Sequence, residues 1–242
     1  MTSWHEDSTG RFALNMRQKL LQHGVAAWQR RGRTLLEVNS GQGTFLRLLW
    51  ECGFDVSATE LCPELRRQAM EKISTRADIL AAADDHLPFE HSSFDWVVLH
   101  LAAQDPEGIS RSLAESLRVA SAGLIVTFWN TTSLPYLAYR LGRRKKAWPA
   151  PAHSWWRVWH SMKKLAAGQM SGMSTLAAPR VTWHANCPLA FCNRGLHALP
   201  FGAWGLIRLR LGPPRSLTPL GLRLKRKTLR QPEPVMEYGK QR

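Results

Sequence analysis

Short apolar runs alternate with amphipathic stretches along the first 130 residues. The apolar runs predict β-strands over residues 35–38, 54–60, 77–83, 94–99 and 123–129. Between them, hydrophobic residues recur every three or four positions, which predicts helices over 11–31, 45–52, 62–72 and 105–119. Strands that alternate with helices in this way are typical of a parallel sheet with helices on both faces. We therefore predict an α/β fold with a doubly wound sheet.

The pattern changes after residue 130. A segment rich in tryptophan and basic residues follows, with Trp148, Trp155, Trp156 and Trp159 interleaved with cations. Two more strand patterns occur over 173–183 and 203–211, the second with regular alternation of polar and apolar residues. Residues 212–242 are Pro-rich and basic, which indicates an extended tail.

The charge is distributed unevenly along the chain. Residues 1–115 hold 12 Lys and Arg against 16 Asp and Glu, whereas residues 116–232 hold 19 Lys and Arg and no acidic residue. A positive second half favours an anionic substrate, or peripheral contact with an anionic membrane or a nucleic acid. A basic surface that is simply solvated explains the same counts equally well.

Composition limits the cellular setting that we expect. No run of eighteen apolar residues occurs, so no transmembrane span is predicted. Residues 1–10 are polar and do not resemble a signal peptide. Four cysteines without a secretory signal suggest free thiols in a reducing compartment, and we expect a cytoplasmic protein.

A glycine-containing turn follows the first predicted strand. The sequence from Glu37 to Gly43 reads Glu-Val-Asn-Ser-Gly-Gln-Gly, and a helical pattern begins at once after it. Glycine lets the backbone approach a ligand closely, and the N–H groups at the start of the helix face that ligand. Glu60 ends the second strand, where an acid accepts hydrogen bonds from ribose hydroxyls. Together these features predict a nucleotide-type site.

The turn resembles the first motif of class I S-adenosylmethionine-dependent methyltransferases, acid-x-Gly-x-Gly-x-Gly. Glu37, Gly41 and Gly43 match it, and Glu60 matches the ribose-binding acid of the family. Asn39 stands in place of the first glycine. Asparagine is the residue other than glycine that best tolerates a left-handed backbone, so the turn can still form.

Two downstream segments extend the resemblance to roughly residues 30–130. Residues 83–89 and 93–99 are similar to the Gly-Asp-Ala-x-x-Leu-Pro-Phe and Ser-Phe-Asp-x-Val-Val segments of the family. The adenine-binding Asp of the family falls on Ala83, so either Asp84 takes that role or only the backbone N–H meets the adenine. The resemblance implies S-adenosyl-L-methionine as cofactor. The residues it nominates to bind the cofactor are Glu37, Asn39, Ser40, Gly41, Gly43, Glu60, Leu61, Ala83, Asp84, Asp85 and His100.

The resemblance also refines the predicted architecture. It implies a Rossmann-like, doubly wound, seven-stranded sheet, mostly parallel with an antiparallel C-terminal strand, plus a helical lid insertion. The methyltransferase domain would span 1–211, with a cofactor half over 30–130, an acceptor lid over about 131–172 and a C-terminal strand pair over about 173–211. Residues 212–242 would be the tail. Tryptophans of the lid would stack on an aromatic substrate, lie at a lipid headgroup layer, stack on bases, or form a small core of their own.

Ligands of such sheets lie beyond the carboxyl ends of the strands. This rule nominates His100 after the fourth strand as a cofactor neighbour or catalytic base, with a packed loop residue as the alternative, and Asn130 after the fifth as a substrate-binding residue. Tyr136 and Tyr139 follow in the predicted lid and are further candidates for substrate binding. A base is needed only if the acceptor loses a proton of high pKa. Because residues 116–232 contain no carboxylate, other candidates there are the histidines His153, His160, His184 and His197.

The spacing of His184, Cys187, Cys192 and His197 is similar to that of a zinc knuckle with the residue types interchanged. The residues between the two cysteines are apolar, and we expect no metal ion. The leading hypothesis is methyl transfer from S-adenosylmethionine to a small-molecule acceptor, with anionic and aromatic molecules as candidates; the group it resembles includes ubiquinone and menaquinone methyltransferases. Alternatives are an RNA methyltransferase that uses the basic half, and a noncatalytic cofactor-binding or scaffold protein.

Overall fold

The computed structural model describes residues 7–142, 148, 151–184, 186–188 and 190–212. The strands are β1 Thr34–Val38, β2 Asp55–Thr59, β3 Ala77–Leu80, β4 Phe94–His100, β5 Ala120–Asn130, β6 Ala152–His153, β7 Gln169–Thr175 and β8 Trp204–Arg210. The α-helices are α1 Ser8–Ala26, α2 Leu46–Glu51, α3 Pro63–Ile73, α4 Pro106–Val119, α5 Leu134–Leu141, α6 Trp155–Leu165 and α7 Ala190–Arg194.

The strands form one sheet in the order β3-β2-β1-β4-β5-β8-β7, and the short strand β6 pairs with the end of β5. Neighbours from β3 to β5 are parallel, and β8 is antiparallel to both β5 and β7. Chain order reverses at β1 and β4, where a crevice opens at the strand ends of such sheets. The predicted doubly wound, mostly parallel sheet with an antiparallel C-terminal strand is confirmed.

Helices cover both faces of the sheet. The core on one face contains side chains of α1, α2 and α3, and the core on the other contains side chains of α4 and α6. Adjacent residues of β1 show why both layers are needed: Leu35 faces the first core, Leu36 faces the second, and both are fully buried. Strands that are apolar on both faces require cover on both sides.

Helix α1 begins and ends earlier than the predicted range 11–31. Asp7 accepts a hydrogen bond from the backbone N–H of Gly10 and caps the helix at its start, a role that the apolar spacing does not reveal. After Ala26 the chain leaves the helix, and the Trp28 ring stacks on Trp96 of β4 with ring centroids 4.3 Å apart. Trp28 is therefore a core residue outside the helix.

The strand predicted over 173–183 is wrong in most of its length. Strand β7 ends at Thr175, and Leu176 takes a left-handed φ of 63° that ends the extended conformation. A short 3₁₀ helix follows over Arg180–Thr182, and Trp183 is fully buried beside it. Burial of the indole, not sheet pairing, explains the apolar residues of this segment. The third predicted strand also stops early, at Leu80.

The predicted lid divides into two parts with different roles. Helix α5 begins just beyond the end of β5, whereas α6 contacts α4 and β8 and belongs to the second helical layer. The ring of Trp155 lies against Gly172 of β7 and Gly205 of β8, where a Cβ atom would come within 2.4 and 3.0 Å of it. These glycines make room for the indole, which packs α6 against β7 and β8. Residues 143–147, 149–150 and the tail from 213 lie outside the described residues.

Within the described ranges, none of the helices has the length and apolar character needed to cross a membrane.

Candidate functional site

The turn between β1 and α2 takes the left-handed backbone that its sequence predicts. Asn39, Gly41 and Gly43 have φ values of 58°, 57° and 69°. The Asn39 side chain is used as well, because its Nδ2 donates to Oδ2 of Asp84 at 2.8 Å and to the carbonyl oxygen of His100 at 3.1 Å. Asn39 therefore joins the turn to the loop after β3 and to the end of β4, which a glycine could not do.

The two glycines of the turn serve different purposes. A Cβ atom on Gly43 would lie 3.0 Å from both Cα and Cβ of Ala69, so Gly43 allows the turn to approach α3. A Cβ atom on Gly41 would meet nothing within 4 Å. Gly41 consequently borders open space in which a ligand can approach the backbone.

Glu60 follows β2 and points toward this turn. Its Oε2 accepts a hydrogen bond from the backbone N–H of Gly41 at 2.8 Å, and its Oε1 accepts one from Cys62 N–H at 2.9 Å. Each carboxylate oxygen can accept a further hydrogen bond. Glu60 is 7% exposed, and Leu61, the next residue, is 60% exposed. The carboxylate is thus held in place beside the turn with acceptor capacity for hydroxyl groups.

Several shielded polar atoms near the turn have no hydrogen-bond partner in the described part of the chain. They are Nε of Arg17, Oε2 of Glu37, Oγ of Ser40 and Oγ1 of Thr59. An unpaired buried polar group costs roughly 1–3 kcal/mol. Such atoms are expected where a polar ligand or water supplies the missing partners, so their position around the turn fits a ligand site.

Both ring nitrogens of His100 form hydrogen bonds within the protein. Its Nε2 lies 2.6 Å from Oε1 of the fully buried Glu37, and its Nδ1 lies 2.6 Å from Oγ1 of Thr127. Its ring also stacks on Phe45, with centroids 5.0 Å apart. The prediction that His100 is a catalytic base is therefore corrected, because neither nitrogen is open to take a proton from an acceptor. His100 instead joins Glu37 of β1 to Thr127 of β5.

The loop after β3 contains the three candidate residues Ala83, Asp84 and Asp85, and one of their side chains points toward the glycine turn. Asp84 points inward to Asn39, and among the described residues only its Oδ2 has a hydrogen-bond partner, so its other oxygen can accept a hydrogen bond. The carbonyl oxygen of Ala83 accepts from His86 N–H at 3.3 Å, which closes a tight turn. Asp85 was predicted to bind the cofactor, but its carboxylate points to α4 instead. Its Oδ2 lies 3.4 Å from Nε of Arg111.

Arg17 of α1 is a further candidate site residue, which the sequence analysis did not nominate. Its guanidinium carbon lies 4.0 Å from the ring centroid of Trp204, 5.0 Å from that of Phe45 and 5.5 Å from that of Trp129. Phe45 follows the glycine turn, Trp129 lies near the end of β5, and Trp204 begins the antiparallel strand β8 beside it. Arg17 therefore reaches the carboxyl edge of the sheet. The one available signal was an arginine within the apolar face of α1, between Met16 and Leu20.

The Arg17 guanidinium is shielded from water, although the residue as a whole keeps partial exposure. Burial lowers its pKa to about 9, so it is still a cation at neutral pH. No carboxylate of the described residues forms an ion pair with it, and its charge is balanced only by ring faces. A buried cation in this state favours the binding of an anionic group.

Asn130 is a structural residue, which corrects its prediction as a substrate contact. Its side chain is fully buried, and its Nδ2 donates to the carbonyl oxygens of Pro200 and Gly202. Its Oδ1 accepts from the backbone and hydroxyl of Thr132. With all of these bonds made, Asn130 joins the end of β5 to the loop before β8.

A cavity of about 450 Å³ lies between α5 and the 3₁₀ helix of residues 180–182. Tyr139 lines it, whereas Tyr136 lies outside the lining and packs edge-on against Trp148 at 5.1 Å between centroids. Trp148 also contacts Trp129, whose ring lies by Arg17. Tyr139 therefore lines this cavity, and Tyr136 packs against both Tyr139 and Trp148.

The residues with zinc-like spacing do not converge. Nε2 of His197 lies 3.1 Å from the carbonyl oxygen of Cys192, and the four cysteines of the chain are unpaired thiols. Among the described residues, no three His, Cys, Asp or Glu side chains come together to bind a metal ion.

His153 of β6 should make the stability of the fold depend on pH. Burial lowers its pKa below the usual 6.5, the nearby Arg157 charge acts in the same direction, and a hydrogen bond to the backbone of Leu101 opposes both. Below pH 6.5 the unfolded chain binds a proton that the folded chain does not, so stability should fall as pH decreases, by at most about 1.4 kcal/mol per pH unit.

Urea unfolding between pH 7.5 and 5.5 measures this effect. His153→Gln should show a smaller loss of stability over that range, and His91→Gln, at an exposed position, should behave like the unchanged protein. Equal losses in all three proteins would contradict the assignment.

Part of the chain, including the glycine turn, matches a known protein family. Residues 36–127 match the methyltransferase domain family. No curated protein sequence matches the chain. A methyltransferase of Thermotoga maritima described as a possible histamine N-methyltransferase has a similar structure: it is 19% identical, with 86% of this chain and 92% of that chain covered and a TM-score of 0.66.

Two further solved structures share the fold. Magnesium protoporphyrin IX methyltransferase from Synechocystis, solved with bound S-adenosylhomocysteine, is 12% identical over 88% of this chain and 89% of that one, with a TM-score of 0.59. A methyltransferase from Aquifex aeolicus is 16% identical over 85% and 94%, with a TM-score of 0.55. The family match over residues 36–127 includes the glycine turn and Glu60, and the chain shares the fold of solved S-adenosylmethionine-dependent methyltransferases.

Proposed function

We propose that this chain binds S-adenosylmethionine at the glycine turn and transfers its methyl group to a small-molecule acceptor. The observation that carries the proposal is the pairing of Glu60 with the backbone N–H of Gly41 at 2.8 Å, beside open space above that glycine. The shielded polar atoms without partners around the turn support it, because a polar cofactor would supply what they lack.

Different residues of the site are suited to contact different parts of the cofactor. Glu60 accepts from the ribose hydroxyls, and the free oxygen of Asp84 or the backbone near Ala83 is available to the adenine. The cationic Arg17 is suited to the carboxylate of the amino-acid part, because it is buried and lacks an acidic partner in the described part of the chain. The chain Glu37–His100–Thr127 holds β1, β4 and β5 together beneath the site.

When bound, S-adenosylmethionine supplies a methyl group that is already electrophilic. The protein therefore has to position the acceptor and exclude water from it, rather than create a reactive group. The aromatic residues Phe45, Trp129 and Trp204 enclose Arg17 and make this part of the site dry. Since His100 is bound on both sides, an acceptor that needs no strong base fits the site best.

The acceptor is proposed to enter through the cavity beside α5. Its lining is largely apolar, with Pro135, Ala138 and Pro179 among the wall residues and Tyr139 as an aromatic group. Arg180 adds a cation to the wall. Such a lining favours a small molecule with an apolar or aromatic body, and an anionic substituent would be attracted by the arginine.

Glu60→Ala tests the cofactor site directly. The variant loses the acceptor for the ribose hydroxyls, and we expect the affinity for S-adenosylhomocysteine to fall by roughly 1–3 kcal/mol, which is about 5- to 150-fold. Isothermal titration measures it. Glu60→Gln keeps one acceptor oxygen and should lose less.

The same titration separates an enzyme from a noncatalytic protein with a decayed site. Micromolar binding that Glu60→Ala weakens supports the proposal, and release of S-adenosylhomocysteine in an acceptor screen then identifies the reaction. No heat at millimolar cofactor, or an affinity that Glu60→Ala leaves unchanged, would contradict it.

A further inference from the structure

One side of helix α5 is apolar and lies uncovered among the described residues. Leu134, Leu137 and Leu141 recur at helical spacing, so they share one side of the helix. They are 54%, 46% and 87% exposed. A helix of a water-soluble domain normally turns such a stripe toward its core. Here the adjacent side of the helix lines the cavity, and the leucines face outward.

Two neighbouring segments enlarge this surface. Val181 is 82% exposed and lies on the opposite wall of the cavity from α5. Phe201 is 48% exposed, and its carbonyl oxygen accepts a hydrogen bond from Leu134 N–H at 3.1 Å, which places it at the start of the helix. We name Leu134, Leu137, Leu141, Val181 and Phe201 the α5 face.

The surroundings of the α5 face are positive. Arg140 is exposed on the helix itself, and Arg180 directly precedes Val181. Residues 116–232 contain no carboxylate at all. The acid found at the cavity is Asp7, whose side chain is engaged in capping α1. The α5 face is therefore an apolar patch in a cationic setting.

We propose that the α5 face docks on the surface of an anionic phospholipid bilayer. A helix of eight residues is about 12 Å long and can lie in the plane of the membrane interface, with its leucines among the acyl chains. The surrounding cations would lie at the level of the headgroups and attract them. This inference does not depend on the proposed methyl transfer.

Two other occupants fit the α5 face less well. A second copy of the chain would bring two positive surfaces together, which is unfavourable. RNA would be attracted to the cations but would gain little from the four aliphatic side chains of the face, because single strands bind through phosphates and several stacked aromatic rings, of which this face offers only Phe201. The combination of an aliphatic stripe with flanking cations is complementary to anionic lipid.

Sedimentation with sucrose-loaded vesicles tests the proposal on the full chain. We expect binding to vesicles of equal parts phosphatidylglycerol and phosphatidylcholine, little binding to phosphatidylcholine alone, and weaker binding at high salt. The double variant Leu137→Ser, Leu141→Ser should reduce the partition coefficient at least tenfold. The matched control is Leu165→Ser, because Leu165 lies on α6 and is 42% exposed. This substitution should leave vesicle binding unchanged.

Thermal unfolding of each variant verifies that the fold is intact, which the exposure of both leucines favours. Absence of binding to anionic vesicles at low salt would overturn the proposal. Undiminished binding of the double variant would do so too, since the attraction would then come from charge elsewhere, such as residues 213–242. If light scattering shows that the double variant loses a dimer, or if it loses affinity for a labelled single-stranded RNA while vesicles are not bound, another partner covers the face.

Discussion

Arg17→Leu is expected to lower the affinity for S-adenosylhomocysteine by about 10- to 150-fold, because hydrogen bonds to a charged group contribute about 1.5–3 kcal/mol. The physical reason is the burial of an unpartnered cation against three aromatic rings at the carboxyl edge of the sheet. The amino-acid carboxylate of the cofactor would be its missing counter-ion. Isothermal titration measures the loss.

A ligand without the carboxylate makes this test specific. 5′-Methylthioadenosine carries the same nucleoside but no amino-acid part, so Arg17→Leu should leave its affinity nearly unchanged. Arg17→Lys retains the charge and should lose less than Arg17→Leu. Lys19→Leu, an exposed position on the same helix, should bind both ligands like the unchanged protein.

The stability of the unliganded variant provides a second control. The Arg17 guanidinium is buried without an acidic partner among the described residues, and this burial disfavours its charged form, so Arg17→Leu should raise the free energy of unfolding. A variant that is more stable and yet binds the cofactor poorly cannot be explained by unfolding. If Arg17→Leu lowered the affinity for S-adenosylhomocysteine and for 5′-methylthioadenosine equally, the carboxylate of the cofactor would not contact Arg17.

Gly41→Ala and Gly43→Ala form a pair in which stability and binding should separate. Both glycines have left-handed φ angles, so an alanine at either costs roughly 1–2 kcal/mol of stability. Gly43→Ala should cost about 1–3 kcal/mol more, because its Cβ would lie 3.0 Å from Ala69 and force overpacking. Urea unfolding should show this difference.

Cofactor binding is expected to respond more strongly at Gly41. The Cβ added there meets no protein atom within 4 Å, so the fold tolerates it, but it enters the space proposed for the cofactor. We expect Gly41→Ala to lose at least tenfold in affinity for S-adenosylhomocysteine, as roughly 1.4 kcal/mol corresponds to that factor. Unchanged affinity in a folded Gly41→Ala would mean that the ligand does not pass over this turn.

Local sequence patterns were sufficient for the cofactor half of the fold. The alternation of apolar strands with amphipathic helices predicted the parallel sheet, and the turn from Glu37 to Gly43 predicted its left-handed positions, including Asn39. Such features depend on residues close together in the chain, where spacing and backbone preference act directly. The packing of the Trp-rich segment could not be predicted in this way, because the glycines that make room for the Trp155 ring lie on β7 and β8, far away in the sequence.

The sequence by itself therefore determined the fold class, the position of the glycine turn and the acid that follows the second strand. Only the tertiary structure decided how distant polar groups pair. It joined His100 to Glu37 and Thr127, engaged Asn130 with the loop before β8, and brought Arg17 to the strand ends. The reason is physical: whether a histidine, asparagine or arginine is a ligand or a structural residue depends on which buried partners reach it, and those partners come from remote parts of the chain.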